Sequence, residues 1–188
     1  MRLAYGVGVN DKKSHWNTKE YFLWNDMLRR CYSKAYHSKK PTYIGCEVSE
    51  NFKSFSYFYD WCQNQIGFGL PEWDLDKDIL KKGNKVYSED NCVFVPSEIN
   101  SLLVSCERKR GEYPIGVCFH KRVGKFNSKI SIRKKRKHIG YFDTPLDAFI
   151  AYKPEKEKHI REIVRPYLGS IDDRAYKALM NYTVEITD

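Results

Sequence analysis

Apolar residues recur at helical spacing twice in the first third of the chain. Residues 18 to 32, TKEYFLWNDMLRRCY, place Thr18 as a candidate N-cap before an apolar stripe. A second stripe along residues 51 to 66 contains Phe52, Phe55, Tyr59 and Cys62. Aromatic residues at this density can stack on bases, but helical spacing favours core packing. Residues 1 to 72 therefore predict a helical scaffold, interrupted by a short extended segment around 43 to 48.

The pattern changes in residues 73 to 100, WDLDKDILKKGNKVYSEDNCVFVPSEIN. A short apolar strand is followed by a Gly-Asn turn, a second apolar strand and the beginning of a helix. This order predicts a compact hairpin-and-helix that packs on the helical scaffold.

Beyond a charged, Gly-containing segment at 107 to 113, which is a candidate linker, apolar residues recur at every second position. Strands are predicted at 115 to 120, 125 to 134 and 137 to 144, and the basic run at 133 to 137 forms the second turn. Thr144 and Pro145 then begin a helix, which Pro154 should kink or end. The prediction is an α+β protein with two domains, residues 1–106 and residues 107–188. The second domain is predicted to be a three-stranded antiparallel sheet packed on a helix and followed by a C-terminal tail.

Side chains alternate across the middle strand of this sheet. Phe126, Ser128, Ile130 and Ile132 fall on one side, which can pack on the helix. The other side carries donors and cations: Asn127, Lys129, Ser131 and Arg133. An ordinary amphipathic sheet explains the alternation equally well, but it does not explain why almost every charge is positive.

The charge is concentrated in this region. Residues 108 to 138 contain twelve cations and one acid, a net charge of +11, against +9 for the whole chain. Such a segment favours a polyanionic partner, with nucleic acid first and anionic lipid second. Because a major groove accepts a β-ribbon, double-stranded DNA is the expected partner. The predicted DNA contacts are Lys121, Arg122, Lys125, Asn127, Lys129, Ser131, Arg133, Lys135 and Lys137.

Composition excludes several other classes of protein. The sequence contains no run of 18 apolar residues, which a membrane-spanning helix would need. The N-terminus has no apolar core of signal-peptide length, so a cytoplasmic location is expected. The six cysteines form neither a C-x-x-C pair nor a paired metal-ligand spacing. Reduced, mostly buried thiols are therefore favoured over a zinc site.

The segment PIGVCFHKRVGKFNSKISIRKKRKHIGYFDTPLDAFIAYK resembles the DNA-binding domain of plant ethylene-response factors. The resemblance rests on the Gly-Val that opens the first strand, GKF before the second, IGYFDT at the end of the third and A-x-x-AY in the helix. It implies three strands in the major groove with a helix behind them. The tryptophans of the plant domains are missing here, so the base sequence that they read cannot be transferred.

The stretch at 73 to 100 resembles the HNH, or ββα-metal, endonucleases of phages and mobile elements, to which such DNA-binding domains are fused. Gly83-Asn84, Asn91 and Asn100 match the loop, the central asparagine and the helix asparagine of that motif. Asp76, Lys77 and Asp78 stand where the motif has its catalytic histidine. The resemblance implies a homing-type endonuclease, located in the host cytoplasm if it is phage-encoded.

The chemistry of such a site needs a hard cation with oxygen ligands. Asp76, Asp78 and Asn100 are the predicted ligands of Mg²⁺ or Mn²⁺, and the predicted catalytic set adds Lys77 and Asn91. On a regular strand the two carboxylates point to the same side, opposite Lys77. Carboxylates favour the charged form of Lys77, so it is a phosphate contact or a structural residue. The base could be Asp76, His37 or bulk water.

Two functions follow from these patterns. The first is a metal-dependent DNA endonuclease that docks on duplex DNA through its C-terminal sheet and hydrolyses a phosphodiester. The second is a nuclease fold that does not cut and acts as a DNA-binding regulator or as a phage counter-defence protein. The alternative interpretation of Asp76-Lys77-Asp78 is a surface cluster of ion pairs.

Overall fold

A computed structural model describes residues 3–103, 112–132 and 135–188. Contacts between residues divide the chain into two compact units. The first comprises Met1–Ser97 with Gly169–Ala175, and the second comprises Glu98–Leu168 with Tyr176–Asp188. The predicted domain boundary between 106 and 107 lies outside the described residues and stays a prediction.

The first unit is built on the two predicted helices. α1 (Lys19–Tyr32) begins at Thr18, whose hydroxyl accepts a hydrogen bond from the Tyr21 amide. α3 (Phe55–Gln63) begins at Ser54 in the same way. Their apolar faces, with Phe52 from the 3-10 turn Asn51–Lys53, form one core that includes the fully buried side chains Trp24, Leu28, Phe52, Phe55, Phe58 and Cys62. The prediction that the aromatic residues at 52 and 55 are core is confirmed.

Short strands complete the first unit. β2 (Trp73–Asp76) pairs antiparallel with β4 (Val93–Pro96), and β1 (Glu47–Val48) pairs in parallel with β3 (Val86–Tyr87). α4 (Ser97–Leu102) follows β4 directly. The predicted order of strand, Gly-Asn turn, strand and helix is present, but β3 lies inside the connection and pairs elsewhere.

The second unit contains the three-stranded sheet. β5 (Val117–His120), β6 (Lys125–Ile132) and β7 (Lys135–Phe142) form an antiparallel sheet in the order β5-β6-β7. α5 (Pro145–Val164) begins at Thr144 and packs on the sheet through a core that includes Val117, Ile130, Ala148, Phe149 and Tyr152. The predicted α+β class is confirmed.

Two details of the second unit differ from the prediction. β7 begins at Lys135, so the basic residues 135 to 137 lie in a strand and not in a turn. α5 continues through Pro154 to Val164, so this proline does not end the helix. Burial of His159, Ile160 and Val164 beyond the proline stabilises the second half, which outweighs the one backbone hydrogen bond that proline cannot donate.

The remaining described elements are short. They are α2 (Lys34–Lys39), α6 (Asp173–Met180) and 3-10 turns at Lys13–His15, Pro41–Tyr43, Asn51–Lys53 and Arg165–Tyr167. Within the described ranges, no helix has the length and apolar character needed to cross a membrane. The five cysteines described are free thiols, four of them buried, as predicted; Cys106 is outside the described residues.

Candidate nucleic-acid interface and the Asp-Lys-Asp corner

The outer face of the sheet, meaning the face opposite α5, is defined by the alternation in β6. Ser128 and Ile130 are buried toward the helix, and Ser131 is exposed on the other side. Asn127 and Lys129 share the side of Ser131. The predicted alternation of β6 is confirmed over its described residues, and Arg133 lies outside them.

A β-bulge changes the phase of β7. Asn127 lies opposite Tyr141 and Lys129 lies opposite His138, with the irregularity between Ser128 and Lys129. The bulge accommodates one additional residue in β7 between these two pairs, and Ile139 packs in the core. His138 and Tyr141 therefore lie on the same outer face, although regular alternation would separate them.

Polar side chains contact one another on this face. Nδ1 of His138 lies 2.9 Å from Oδ1 of Asn127. The His138 ring lies 4.6 Å from the Tyr141 ring, centroid to centroid, and the ring of His120, on β5, lies 5.4 Å from the Tyr141 ring. The centre of the face is thus an amide, two imidazoles and a phenol, which together offer hydrogen-bond donors, acceptors and flat rings.

Cations surround this centre. Arg136 lies opposite Ser131 and is exposed on the outer face. Lys125 also lies on this face and forms an ion pair with Asp143 at 3.0 Å. The turn between β5 and β6 presents Lys121 and Arg122 to solvent. Side chains at these positions are of the type that contacts phosphates.

Two predicted contacts lie on the other side of the sheet. Lys137 is opposite the buried Ile130, and its Nζ lies 2.8 Å from a carboxylate oxygen of Glu155 in α5. That hydrogen bond lowers the pKa of Glu155. Lys135 is opposite Ile132, which also faces the helix. Arg136, His138 and Tyr141 share the outer face instead, because β7 begins two residues earlier than predicted and contains the bulge.

The Asp-Lys-Asp corner, residues 76 to 78, begins where β2 ends. Oδ1 of Asp76 accepts hydrogen bonds from the amides of Asp78 and Ile79, each at 2.7 Å. The carboxylate therefore caps the turn that follows the strand. Burial raises the pKa of Asp76, although the two amide hydrogen bonds oppose this effect.

Lys77 is the buried residue of the corner, only 7% exposed. Its Nζ donates to both carboxylate oxygens of Asp78, at 2.7 and 2.8 Å, and to the backbone oxygen of Asn84 at 2.7 Å. β2 ends before Lys77, so the predicted alternation does not extend to Asp78. The expectation that the two carboxylates would be easier to bring together than Lys77 with either was wrong, since Lys77 pairs with Asp78.

The Gly-Asn turn, Gly83-Asn84, is hydrogen-bonded to the same corner. Nδ2 of Asn84 donates to the backbone oxygens of Lys77, at 2.8 Å, and Val86, at 2.7 Å. Asn91 donates to the oxygen of Val86 at 3.5 Å, a weak contact beside the turn. His37 Nε2 donates to the backbone oxygen of Arg30 at 2.8 Å. These asparagines and this histidine are thus bonded to the backbone.

At the corner, a Mg²⁺ ion would have to compete with protein donors for the predicted ligand atoms of Asp76 and Asp78, and the predicted metal site stays a prediction. Both oxygens of Asp78 accept from Lys77, and Oδ1 of Asp76 accepts from two amides, so these ligand atoms are already bonded to donors. Within the described residues, no group of three or more His, Cys, Asp or Glu side chains is placed to hold a metal ion. Asn100 is half-buried in α4 and belongs to the second unit, so its predicted role as a ligand stays a prediction.

Comparison of the chain with protein-family models, curated proteins and solved structures finds no match. The resemblances to ethylene-response factors and to HNH endonucleases therefore stay predictions.

Proposed function

We propose that the protein binds duplex DNA through the outer face of the β5-β6-β7 sheet. The observation that carries the proposal is the cluster of polar side chains at the centre of this face: Asn127 is hydrogen-bonded to His138, whose ring packs against Tyr141. Lys129 and Arg136 lie beside this cluster. Lysine and arginine contact phosphates and set the position on the duplex, whereas amides and imidazoles hydrogen-bond to base edges. A face with both kinds of group suits a major groove.

The chemistry of this face favours DNA over an anionic lipid surface. A membrane-binding face combines cations with apolar side chains that enter the acyl boundary. The centre of the outer face instead carries an amide and two imidazoles, whose hydrogen bonds have no partner among acyl chains.

Binding is tested by fluorescence anisotropy with labelled duplex DNA over a range of salt concentrations. Neutralisation of about five phosphates should make the logarithm of the binding constant fall with the logarithm of the salt concentration, with a slope of about −4.5. Anionic vesicles and single-stranded DNA of equal charge are the competitors. Failure to bind duplex DNA at low salt, or tighter binding to the vesicles, would contradict the proposal.

Phosphodiester hydrolysis is a second candidate function, favoured by the order of β2, the Gly-Asn turn, β4 and α4. The side chain of Asp78 is also 49% exposed, so a phosphate can approach it. The bonds from Lys77 to Asp78 oppose this candidate, because that carboxylate would have to exchange its partner before it could act. We therefore place DNA binding without cleavage, as in a regulator or a counter-defence protein, ahead of the endonuclease.

Cleavage separates the two candidates. Supercoiled plasmid is incubated with saturating protein and Mg²⁺ or Mn²⁺, and nicked and linear products are measured. Intact plasmid under demonstrated binding supports the non-cleaving protein. Products that disappear in both Asp78→Ala and Asn100→Ala, while Lys81→Ala still cuts, would establish the endonuclease instead.

A further inference from the structure

The side chains of Asn127 and His138 behave as one hydrogen-bonding unit. They belong to neighbouring strands, and the 2.9 Å contact joins Oδ1 of the amide to Nδ1 of the imidazole. A carboxamide oxygen only accepts, so the imidazole donates through Nδ1. This leaves Nε2 of His138 as an acceptor and Nδ2 of Asn127 as a donor.

This pairing of donor and acceptor does not depend on how the amide is oriented. If the amide turns so that Nδ2 donates to Nδ1, then the neutral imidazole carries its proton on Nε2. The outward groups become a donor on His138 and an acceptor on Asn127. In both arrangements the unit presents one donor beside one acceptor.

Tyr141 holds the unit in place. It lies directly opposite Asn127, and its ring contacts the His138 ring at 4.6 Å with an interplanar angle of 51°. Ring packing restricts rotation of the imidazole, so less side-chain entropy is lost on binding. The bulge between Ser128 and Lys129 is what allows Tyr141 and His138 to share this face.

We propose that the Asn127–His138 unit reads a base-pair edge that presents an acceptor beside a donor in the major groove. Adenine has this pattern at N7 and N6, and a G·C pair has it at guanine O6 and cytosine N4. The proposal rests on the proposed function, since it requires the outer face to lie in the groove. It assigns sequence preference to an amide and an imidazole and leaves Lys129 and Arg136 for phosphates.

The test begins with selection of preferred duplexes from random sequence by the full-length protein. The quantity measured is the ratio of affinities for the selected and a scrambled duplex. Asn127→Ala and His138→Ala should each lower this ratio roughly tenfold, because the selected duplex loses more affinity than the scrambled one, with the salt slope unchanged. Lys129→Ala should weaken binding to both duplexes equally. Lys158→Ala, on α5 with a 68% exposed side chain, controls for loss of one positive charge.

Two conservative variants separate reading from positioning. The amide of His138→Asn lies near the position of Nδ1, so it keeps the bond to Asn127 but removes the outer Nε2. The amide of His138→Gln lies near Nε2 and keeps an outer donor and acceptor. The glutamine variant should retain more of the affinity ratio than the asparagine variant. Equal ratios in wild type and both alanine variants would overturn the proposal.

The source of the donor–acceptor pattern is identified with modified DNA. Replacement of adenine by 7-deazaadenine removes the N7 acceptor and should weaken wild-type binding if adenine is read. The variant without the outward donor should be insensitive to this replacement: Asn127→Ala in the observed arrangement, or His138→Ala if the amide is turned. Binding unaffected by this replacement, but lost when a G·C pair of the selected site is changed, identifies the G·C edge. Wild-type protein that binds duplexes without preference overturns this inference alone. Absence of any duplex binding overturns the proposed function itself.

Discussion

Lys77 and Asn84 each bond to the other's backbone. Nζ of Lys77 donates to the backbone oxygen of Asn84 at 2.7 Å, and Nδ2 of Asn84 donates to the backbone oxygen of Lys77 at 2.8 Å. The two bonds close the loop between these residues from both sides. The loop geometry thus depends on a buried amino group and a buried amide.

Lys77→Met keeps the length of the side chain but removes its three donors. The backbone oxygen of Asn84 would lose its buried partner, so we expect the free energy of unfolding to fall by about 2 kcal/mol. Urea denaturation measures it. Lys81→Met, at an exposed position of the same loop, should change it by less than about 0.5 kcal/mol. Equal effects of the two variants would show that Lys77 does not stabilise the loop.

Arg136 and Lys137 are adjacent cations on opposite faces of β7. Arg136 shares the outer face with Lys129, whereas Lys137 pairs with Glu155 of α5. Arg136→Ala should weaken duplex binding at every sequence and make the salt slope shallower by about 1. Lys137→Ala should leave the slope unchanged. The reverse order would mean that DNA lies against the helix side of the sheet.

Ser128 has a fully buried side chain, and its hydroxyl has no hydrogen-bond partner among the described residues. A buried hydroxyl without a partner is destabilising, so Ser128→Ala should raise the free energy of unfolding by about 1 kcal/mol. Thermal unfolding provides the measurement. Ser131→Ala, exposed on the outer face, is the matched control and should be neutral. Lower stability of Ser128→Ala would indicate that the hydroxyl has a partner after all.

Gly116 and Gly124 allow backbone strain to be separated from steric overlap. Both have positive φ, +79° and +70°, but a Cβ at Gly116 would lie 2.1 Å from Cδ2 of Tyr152, while none of the described atoms lies within 4 Å of a Cβ at Gly124. Gly124→Ala should cost about 1 kcal/mol from backbone strain alone. Gly116→Ala should cost about 3 kcal/mol because Tyr152 must also move. Similar unfolding midpoints for the two variants would contradict this packing.

The carboxylate of Asp11 stabilises the first unit in its ionised form. It accepts from the Ser56 amide at 2.7 Å and from the hydroxyls of Ser54 and Ser56. Burial opposes ionisation, but these hydrogen bonds prevail and lower the pKa of Asp11. A lowered pKa in the folded state means that the contribution is complete above the unfolded value of about 3.9 and is lost as the pH falls through the folded value.

Asp11→Asn should therefore lower stability at neutral pH and reduce the loss of stability on acidification. Urea denaturation from about pH 7 to about pH 3 measures both effects. Asp60→Asn, which removes an ion pair with Lys12 from a side chain that is 70% exposed, should leave the pH profile almost unchanged. Parallel profiles for wild type and Asp11→Asn would rule out this role of Asp11.

Local pattern was sufficient to predict the parts of the fold that depend on near neighbours. The helix beginnings at Thr18 and Thr144 and the alternation along β6 involve residues only a few positions apart. Their signals lie within the segment that folds, so spacing and capping chemistry reveal them.

The bulge in β7 and the burial of Lys77 could not be predicted in this way. A bulge is a property of two paired strands, and the register between β6 and β7 is not visible in either one alone. Lys77 lies between two carboxylates, a pattern typical of an exposed charge cluster. It is buried because Asn84, seven residues later, supplies an oxygen beside it. Strand alternation predicts Lys77 and Asp78 on opposite sides, but β2 ends at Asp76 and Lys77 bonds to Asp78.

The bonds made by Lys77 have a consequence for where the protein can work. Its three oxygen partners surround a positive charge that is part of the polypeptide, so this charge cannot be removed by chelation or exchanged for another ion. A fold that depends on a bound metal ion changes in stability with the concentration of that ion in solution. We expect the loop between Lys77 and Asn84 to keep its shape in metal-poor and metal-rich conditions alike. The positive group that pairs with Asp78 is the side chain of Lys77, which is covalently part of the chain.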